Sequence, residues 1–417
     1  ARCDGQDLPF PEAVGAGVIT VESGVESSGR SPVADCQACD TSIDGSLDMK
    51  RRALVTGCTG QTGSYLAELL LEKDYQVYGM IRRTSTQNLW RLAGFQHRLE
   101  LVEGDLLDES SLRRLLTSIR PDEVYNFAAQ SHVGTSFVEP TYTSEVTGLG
   151  VLRLLEAARN GTPSSRIYQA SSSEMFGNPV VQPQDEHTPI QPISPYGCAK
   201  AFAHHVAQTY RQAYGMFIAC GIAFNHESPR RGEEFVTRKI TKAVARIKSG
   251  QLHILRLGNY SAKRDWSHAK DMARGAWLTL QHPTPEDFVF ASGESHSVQD
   301  FAELAFNMLS LNPSEYIKTD ASLMRPTDIQ LLVGNAGKAR RLLRWTPTVT
   351  FMELIKEMVD ADMAEVGHRD SRASEGSPPP VPLTPLPLAA DLPHTSDTCA
   401  CHHTGQFGGS QGAGDSA

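Results

Sequence analysis

Between Arg51 and about Gly293, short apolar or β-branched runs alternate with stretches in which apolar residues recur every three to four positions. That switching of period is the pattern of parallel βαβ units. It predicts strands at Ala53 to Thr56, Gln76 to Ile81, Leu99 to Glu103, Glu123 to Phe127, Arg166 to Ala170, Phe217 to Ala223 and Phe288 to Ala291. Strands separated by helices build a doubly wound parallel sheet, an α/β fold. After Asn225 the rhythm loosens into a helix at Val236 to Lys248 and a short strand at Leu252 to Leu257. Helices at Val298 to Leu311, Asn335 to Leu343 and Thr350 to Val366 are expected to complete a smaller, partly interleaved C-terminal substrate-binding domain. No internal repeat is present.

Composition narrows the folded part of the 417 residues. Residues 1–48 are rich in Gly, Ser and acids, and residues 367–417 are rich in Pro and Gly; both are expected to be disordered. Met49 precedes the first strand, so residues 1–48 read as an upstream extension. The Rossmann part is expected to span 49–225 with sheet elements returning at about 258–295, and the substrate part 226–257 and 296–366. A net charge of −9 argues against a nucleic-acid surface. There is no membrane-spanning run or signal-peptide pattern, so a cytoplasmic protein with no membrane partner is expected. Of eight cysteines only Cys58, Cys198 and Cys220 lie in the folded part, which is no disulfide framework. Cys36-x-x-Cys39 and Cys399-x-Cys401-His402-His403 have ligand-type chemistry but sit at opposite ends of the chain, and no metal site is expected.

Chemistry enters with the turn Gly57-Cys58-Thr59-Gly60-Gln61-Thr62-Gly63, which follows a strand and precedes the helical run Ser64 to Lys73. In that setting glycines allow a tight turn and let backbone amides at a helix start approach a pyrophosphate. Gly57, Gly60, Gln61 and Gly63 are therefore cofactor candidates. The second strand ends in Arg82 and Arg83, where an NAD enzyme usually has an acid; guanidinium groups there suit a 2′-phosphate and favour NADP, the alternative being a solvated basic loop. Asp105 and Leu106 end the third strand, and Ala128, Ala129, Gln130 and Ser131 the fourth, beside the expected nicotinamide ribose.

Tyr196 and Lys200 share one face of a helix start, so the ammonium can sit beside the phenol and favour its ionised form. Ser172 and Glu174 follow the fifth strand. In extended chain, residues two apart point the same way, so hydroxyl and carboxylate can enter one cleft; alternatively Glu174 caps a following turn. A carboxylate added to Ser, Tyr and Lys supplies a second acid/base.

The strings Ala129-Gln130-Ser131-His132-Val133, Ala170-Ser171-Ser172-Ser173-Glu174-Met175-Phe176-Gly177, Asn225-His226-Glu227-Ser228-Pro229, Phe235-Val236-Thr237-Arg238-Lys239 and Ala262-Lys263-Arg264-Asp265-Trp266 resemble the extended short-chain dehydrogenase/reductases, and within them the GDP-mannose 4,6-dehydratases, over about Arg51 to Glu365. The resemblance implies conversion of GDP-α-D-mannose to GDP-4-dehydro-6-deoxy-D-mannose and water by a hydro-lyase that uses NADP. It implies Ser172, Glu174, Tyr196 and Lys200 as catalytic residues, and Tyr142, His226 and Arg231 as further cofactor contacts. It implies Ser131, Glu174, Asn225, Val236, Lys239, Arg264 and Arg325 around GDP-mannose, and assembly as a homodimer or homotetramer. Departures include Ser172 where the family typically has Thr, Thr62 where it commonly has Asp, and Cys58, Ser261 and Ser267; none removes a catalytic group. A GDP-hexose reductase or epimerase, or a non-enzymatic nucleotide sensor on the same fold, are the competing functions; Glu174 speaks against the first, and the retained set of Ser172, Glu174, Tyr196 and Lys200 against the second.

Overall fold

Alternation along the strands sorts side chains onto two sheet faces. In the computed structural model, which describes residues 50–369, Leu54 packs into one apolar cluster while its neighbours Ala53 and Val55 pack into another; Val124 and Tyr125, and Ile167 and Tyr168, divide in the same way. The strands are β1 (Arg52–Thr56), β2 (Gln76–Ile81), β3 (Glu100–Glu103), β4 (Glu123–Asn126), β5 (Arg166–Ser172), β6 (Ile218–Ala223) and β7 (Phe288–Phe290). They form one parallel sheet in the order β3-β2-β1-β4-β5-β6-β7. The order reverses between β1 and β4, and in open α/β sheets a ligand crevice opens at such a switch point, beyond the carboxyl ends of the strands.

Helices α1 (Gln61–Glu72), α2 (Glu109–Ile119), α3 (Gly150–Gly161), α4 (Pro195–Tyr214), α5 (Val236–Lys248), α6 (Ala269–Gln281), α7 (Val298–Met308), α8 (Gly337–Leu343) and α9 (Phe351–Arg369) account for most of the rest. One sheet face is covered by α1, α6 and α8 through Leu66, Leu70, Ala273, Ala276, Ala339 and Leu343. The other is covered by α2, α3 and α4 through Leu112, Leu115, Leu154, Leu155, Ala203 and Ala207. A separate cluster joins α5, α7 and α9 through Ile240, Val244, Phe301, Phe306, Ile355 and Met358, with Trp266 stacked on Phe351 at 5.7 Å. Three two-stranded ladders complete this smaller part: Asn225–Glu227 with Trp266–His268, Lys263–Arg264 with His296–Ser297, and Leu255–Leu257 with Ile317–Thr319.

Two expectations change. Helix α8, expected in the smaller lobe, packs on the sheet instead, because Ala339, Leu343 and the following Trp345 bury against β7, where Trp345 meets Phe290 edge to face at 4.9 Å. Helix α1 starts at Gln61 rather than Ser64, so the end of the glycine turn is itself the first helical turn. The expectations for residues 1–48, for the chain beyond Arg369, and for Cys36, Cys39, Cys399 and Cys401 lie outside the described residues.

Candidate active site

The glycine turn has to be glycine for two local reasons. Gly57 takes φ +67°, and a Cβ there would lie 2.8 Å from the amide nitrogen of Ala128. At Gly63 a Cβ would lie 2.2 Å from the carbonyl oxygen of Gly57, so the helix start could not approach the strand end. Gly60 caps α1 with extended backbone and no side-chain hydrogen bond, and the first turn carries no acid. The amides of that turn and the positive end of the helix dipole are therefore presented to an anion, as a dinucleotide diphosphate requires. The side chain of Gln61 is already engaged: its amide donates to the His226 carbonyl at 2.9 Å and accepts from the Ser228 hydroxyl at 2.8 Å. The Gln61 side chain thus ties α1 to the strand at Asn225–Glu227, which leaves its backbone amide as what it can offer a ligand.

A cavity of about 950 Å³ runs over the carboxyl ends of the sheet from this turn to the smaller part. Gly57, Gly60, Gln61, Gly63, Arg82, Asp105, Leu106, Ala128, Ala129, Ser131 and Tyr142 line its sheet side. Asn225, His226, Arg231, Val236, Lys239, Arg264 and Arg325 line the opposite side, and Ser172, Glu174, Tyr196 and Lys200 lie between. Two expected cofactor residues do not line it. Arg83 is exposed beyond the rim, and Gln130 folds back so that its amide both donates to and accepts from the backbone of His132, at 3.2 and 2.7 Å. Arg82 stands at the rim, where its guanidinium donates to the Tyr142 hydroxyl at 2.6 Å. An uncapped helix start and a basic group at the end of β2 together fit NADP.

In the centre, Ser194 caps α4 by accepting from the Gly197 amide at 3.0 Å and Pro195 occupies the first turn, which fixes Tyr196 one residue into the helix. Tyr196, Lys200 and Ser172 are buried. Burial pushes the Tyr196 phenol up to about 12, opposed by a hydrogen bond with Ser172 and by the charge of Arg231. Lys200 also has a partner that its helix spacing did not suggest. Its ammonium lies 5.9 Å from the Tyr196 ring centre and donates to the Ala170 carbonyl at 2.6 Å, while burial brings it down to about 8.

Glu174 reaches the cavity by a different route from the one its spacing implied. Strand β5 ends at Ser172, and Glu174 belongs to the short 3₁₀ turn Ser173–Phe176. It is Ser172 that caps this turn, accepting from the Glu174 amide at 3.2 Å, so the two residues are joined by a cap rather than by strand alternation. Burial raises the Glu174 carboxyl, countered by Arg264 and Arg325 and reinforced by Asp328. A carboxylate so placed is poised to take up and give back a proton.

Several contributors escaped the sequence reading. Asp328 holds the two arginines of the far wall: its oxygens lie 3.0 Å from Arg264 and 3.6 Å from Arg325, and it accepts from the Asn259 amide at 2.7 Å. The Arg325-x-x-Asp328 spacing was the only signal available. His132 lines the cavity edge-on to Phe235 at 5.3 Å. Thr62, noted only as a departure, hydrogen-bonds His226 Nε2 at 2.8 Å, while His226 Nδ1 lies 2.9 Å from the Phe224 carbonyl. That carbonyl can only accept, so Nδ1 carries the proton and Nε2 accepts from Thr62; burial, with Arg231 assisting, holds the ring down to about 4 and hence neutral.

A family described as GDP-mannose 4,6 dehydratase matches residues 54–358. The chain belongs to this family. Among similar proteins, GDP-mannose 4,6 dehydratase 1 of Arabidopsis thaliana is 47% identical over 355 residues, covering 79% of this chain and 98% of that protein. The GDP-mannose 4,6 dehydratase of Homo sapiens is 45% identical over 358 residues, covering 79% and 96%. Of solved structures, a dTDP-glucose 4,6-dehydratase of Streptomyces venezuelae with NAD bound shares 26% identity at a TM-score of 0.69, covering 77% of this chain and 98% of that one. A UDP-glucose 4-epimerase of Thermus thermophilus in complex with NAD shares 25% at 0.67, covering 75% and 98%. The 4,6-dehydratase and the epimerase share the fold, and the family match distinguishes which sugar nucleotide this chain's site is related to.

Proposed function

We propose that the chain is a GDP-mannose 4,6-dehydratase, a hydro-lyase that converts GDP-α-D-mannose to GDP-4-dehydro-6-deoxy-D-mannose and water with NADP. The observation that carries this reading is the carboxylate of Glu174 in the same cavity as Ser172, Tyr196 and Lys200, within the family's matched span. NADP, which the glycine turn and the amides of the first turn of α1 would hold, would when bound supply a reversible hydride acceptor for C4 and C6 of the sugar.

The chain's own residues divide the proton traffic. Tyr196 takes the proton of the 4-hydroxyl, with Ser172 hydrogen-bonded to the phenol and favouring its ionised form. The resulting 4-ketone acidifies C5, and the Glu174 carboxylate removes that proton. Glu174 then hands it to the C6 hydroxyl, which leaves as water; as hydride reaches C6, C5 takes up a proton and the phenol gives up the one it took from the 4-hydroxyl, so that the residues end as they began. A carboxyl raised by burial suits both halves of that task, base first and acid second. Lys200 holds the carboxyl end of β5 through Ala170 and is placed for the nicotinamide ribose. Arg264 and Arg325, set by Asp328, would pair with the diphosphate of GDP-mannose, with Asn225, Val236 and Lys239 on the same wall. Arg82, at the rim beside Tyr142, would pair with the 2′-phosphate of NADP.

A reductase, or an epimerase that inverts C4 by hydride transfer alone, needs no base at C5, and Glu174 is the feature that disfavours both. The expected assembly is a homodimer or homotetramer and the expected location cytoplasmic; no helix among the described residues is long and apolar enough to cross a membrane. The test is incubation with GDP-mannose and NADP⁺ followed by mass analysis of the sugar nucleotide. Loss of one water without accumulation of NADPH supports the reading, and a product of unchanged mass contradicts it.

A further inference from the structure

Tyr196, Lys200, His204 and Gln208 recur at four-residue intervals along α4, and Arg211 follows three residues later. Residues so spaced share one helix face, and here that face is a polar stripe laid against the sheet. Lys200, His204, Gln208 and Arg211 are all held there. Lys200 donates to the Ala170 carbonyl at 2.6 Å, and His204 Nδ1 lies 2.9 Å from the Ser171 hydroxyl oxygen. Gln208 donates to Asp287 at 2.8 Å, and Arg211 grips the same carboxylate with two nitrogens at 2.8 and 3.0 Å. Asp287 in turn accepts from the Cys220 amide of β6 at 3.2 Å, which anchors the far end of the chain of contacts in the sheet.

The proton positions along this chain are determined. The Gln208 amide nitrogen, already donating to Asp287, sits 3.1 Å from His204 Nε2, which makes Nε2 an acceptor. Nδ1 therefore carries the proton and donates to Ser171. His204 is 3% exposed and Ser171 4%, and burial lowers the ring's proton affinity against the opposing charge of Asp287, so the ring is neutral at neutral pH. The groups facing it are Asp287, Arg211 and His205, with Cys220 beside Ser171.

Ser171 precedes Ser172, which contacts both the Tyr196 phenol and the Glu174 amide. A slip of the β5 end along α4 would carry Ser172, and the turn it caps with Glu174, away from Tyr196. We propose that His204 is a positioning residue for the dehydration: through Ser171 it holds the end of β5, and with it the Ser172 hydroxyl, in register with Tyr196 on the same helix. The Lys200–Ala170 contact lies one helical turn away and sets the same register from the other side. This inference rests on the dehydratase reading for its kinetic consequences and on the geometry of the stripe for its existence.

The test compares His204→Leu, His204→Gln, Ser171→Ala and the double variant His204→Leu/Ser171→Ala with the wild type, on the full chain with GDP-mannose and NADP⁺. His204→Leu and Ser171→Ala are each expected to lower kcat about tenfold with KM for GDP-mannose within about twofold, as misplacement of a reacting group does. The apparent pKa of kcat that belongs to Tyr196, whose neighbours are Ser172, Glu174 and Arg231, is expected to rise as the Ser172 contact loosens. The double variant is expected to be no slower than either single one, since both cut the same link. His204→Gln keeps an amide donor and is expected to recover much of the rate. A second readout needs no turnover: in histidine-selective ¹⁵N spectra, the signal lost in His204→Gln is expected to show a neutral Nδ1–H ring that shifts in Ser171→Ala. Wild-type kcat and pH profile in His204→Leu, multiplicative losses in the double variant, or an Nε2–H ring would overturn the proposal. If the wild type releases no dehydrated product, the reaction reading fails, and the ¹⁵N spectrum still decides whether the link exists.

Discussion

Asp328→Asn tests how the far wall of the cavity is held. Arg264 and Asp328 are 8% and 16% exposed in their side chains and 3.0 Å apart, so their gross attraction is about 5 kcal/mol at an effective dielectric of about 20. Asparagine keeps an acceptor for Arg264 and relieves the carboxylate's own burial, so the net loss approaches that of one charge-assisted hydrogen bond, about 2 kcal/mol. Arg264 retains its contact to the Ile329 carbonyl at 2.7 Å, which limits the damage. A loss of that size lowers the melting temperature by about 4 °C. The same change has a catalytic signature. Asp328 raises Glu174 and competes with it for Arg264, so its neutralisation lets Glu174 ionise at lower pH. The acid limb of kcat, where Glu174 must lose its proton to act as base, is expected to move to lower pH. Thermal melts by circular dichroism and a kcat profile from pH 5 to 9 measure both. An unchanged melting temperature with an unmoved acid limb would refute the coupling of Asp328, Arg264 and Glu174.

Three further outcomes are expected. Glu174→Gln keeps the size of the side chain but removes the base, so formation of the 4-keto-6-deoxy product is expected to fall by about 10² to 10⁴ while nucleotide binding by calorimetry stays near wild type; a rate within about threefold would exclude Glu174 as the base. Arg82→Ser is expected to weaken NADP more than NAD, and Arg83→Ser to do little because that residue lies outside the cavity rim; equal losses for both dinucleotides in Arg82→Ser would contradict a 2′-phosphate contact. His226, neutral in the fold down to about 4 against an ordinary value of 6.5, lets the unfolded chain take up a proton first as pH falls. Its contribution to stability is complete above about pH 6.5 and drains between 6.5 and 4, and His226→Gln is expected to flatten that part of the curve of melting temperature against pH; an unchanged slope would count against a neutral, buried ring.

The sheet was legible because β1, β4 and β5 are short apolar segments between amphipathic helices, a pattern that local residues alone dictate. The glycine turn was legible for the same reason: Gly57 and Gly63 are required by contacts within a few residues or with the next strand end. What escaped the sequence depends on side chains brought together from distant segments. Asp328 acquires meaning only once Arg264, 64 residues earlier, lies beside it. Thr62 gains a role only when His226 arrives across the cavity. Glu174 was found for a reason that did not hold, since the chain leaves the strand at Ser172 and turns; its exposure to the cavity comes from the 3₁₀ turn. Gln130 and Lys200 each hold a backbone partner that their positions in the sequence did not announce.

The central claim is an internal hydride transfer from C4 to C6 coupled to loss of water, with Glu174 removing the C5 proton. GDP-mannose deuterated at C4, incubated with the full chain and NADP⁺ in ordinary water, tests it most directly. The label is expected at C6 of the 4-keto-6-deoxy product with no loss to solvent, and Glu174→Gln is expected to give almost none of that product. Recovery of the label at C4, or its accumulation in NADPH with no dehydrated sugar, would contradict the account.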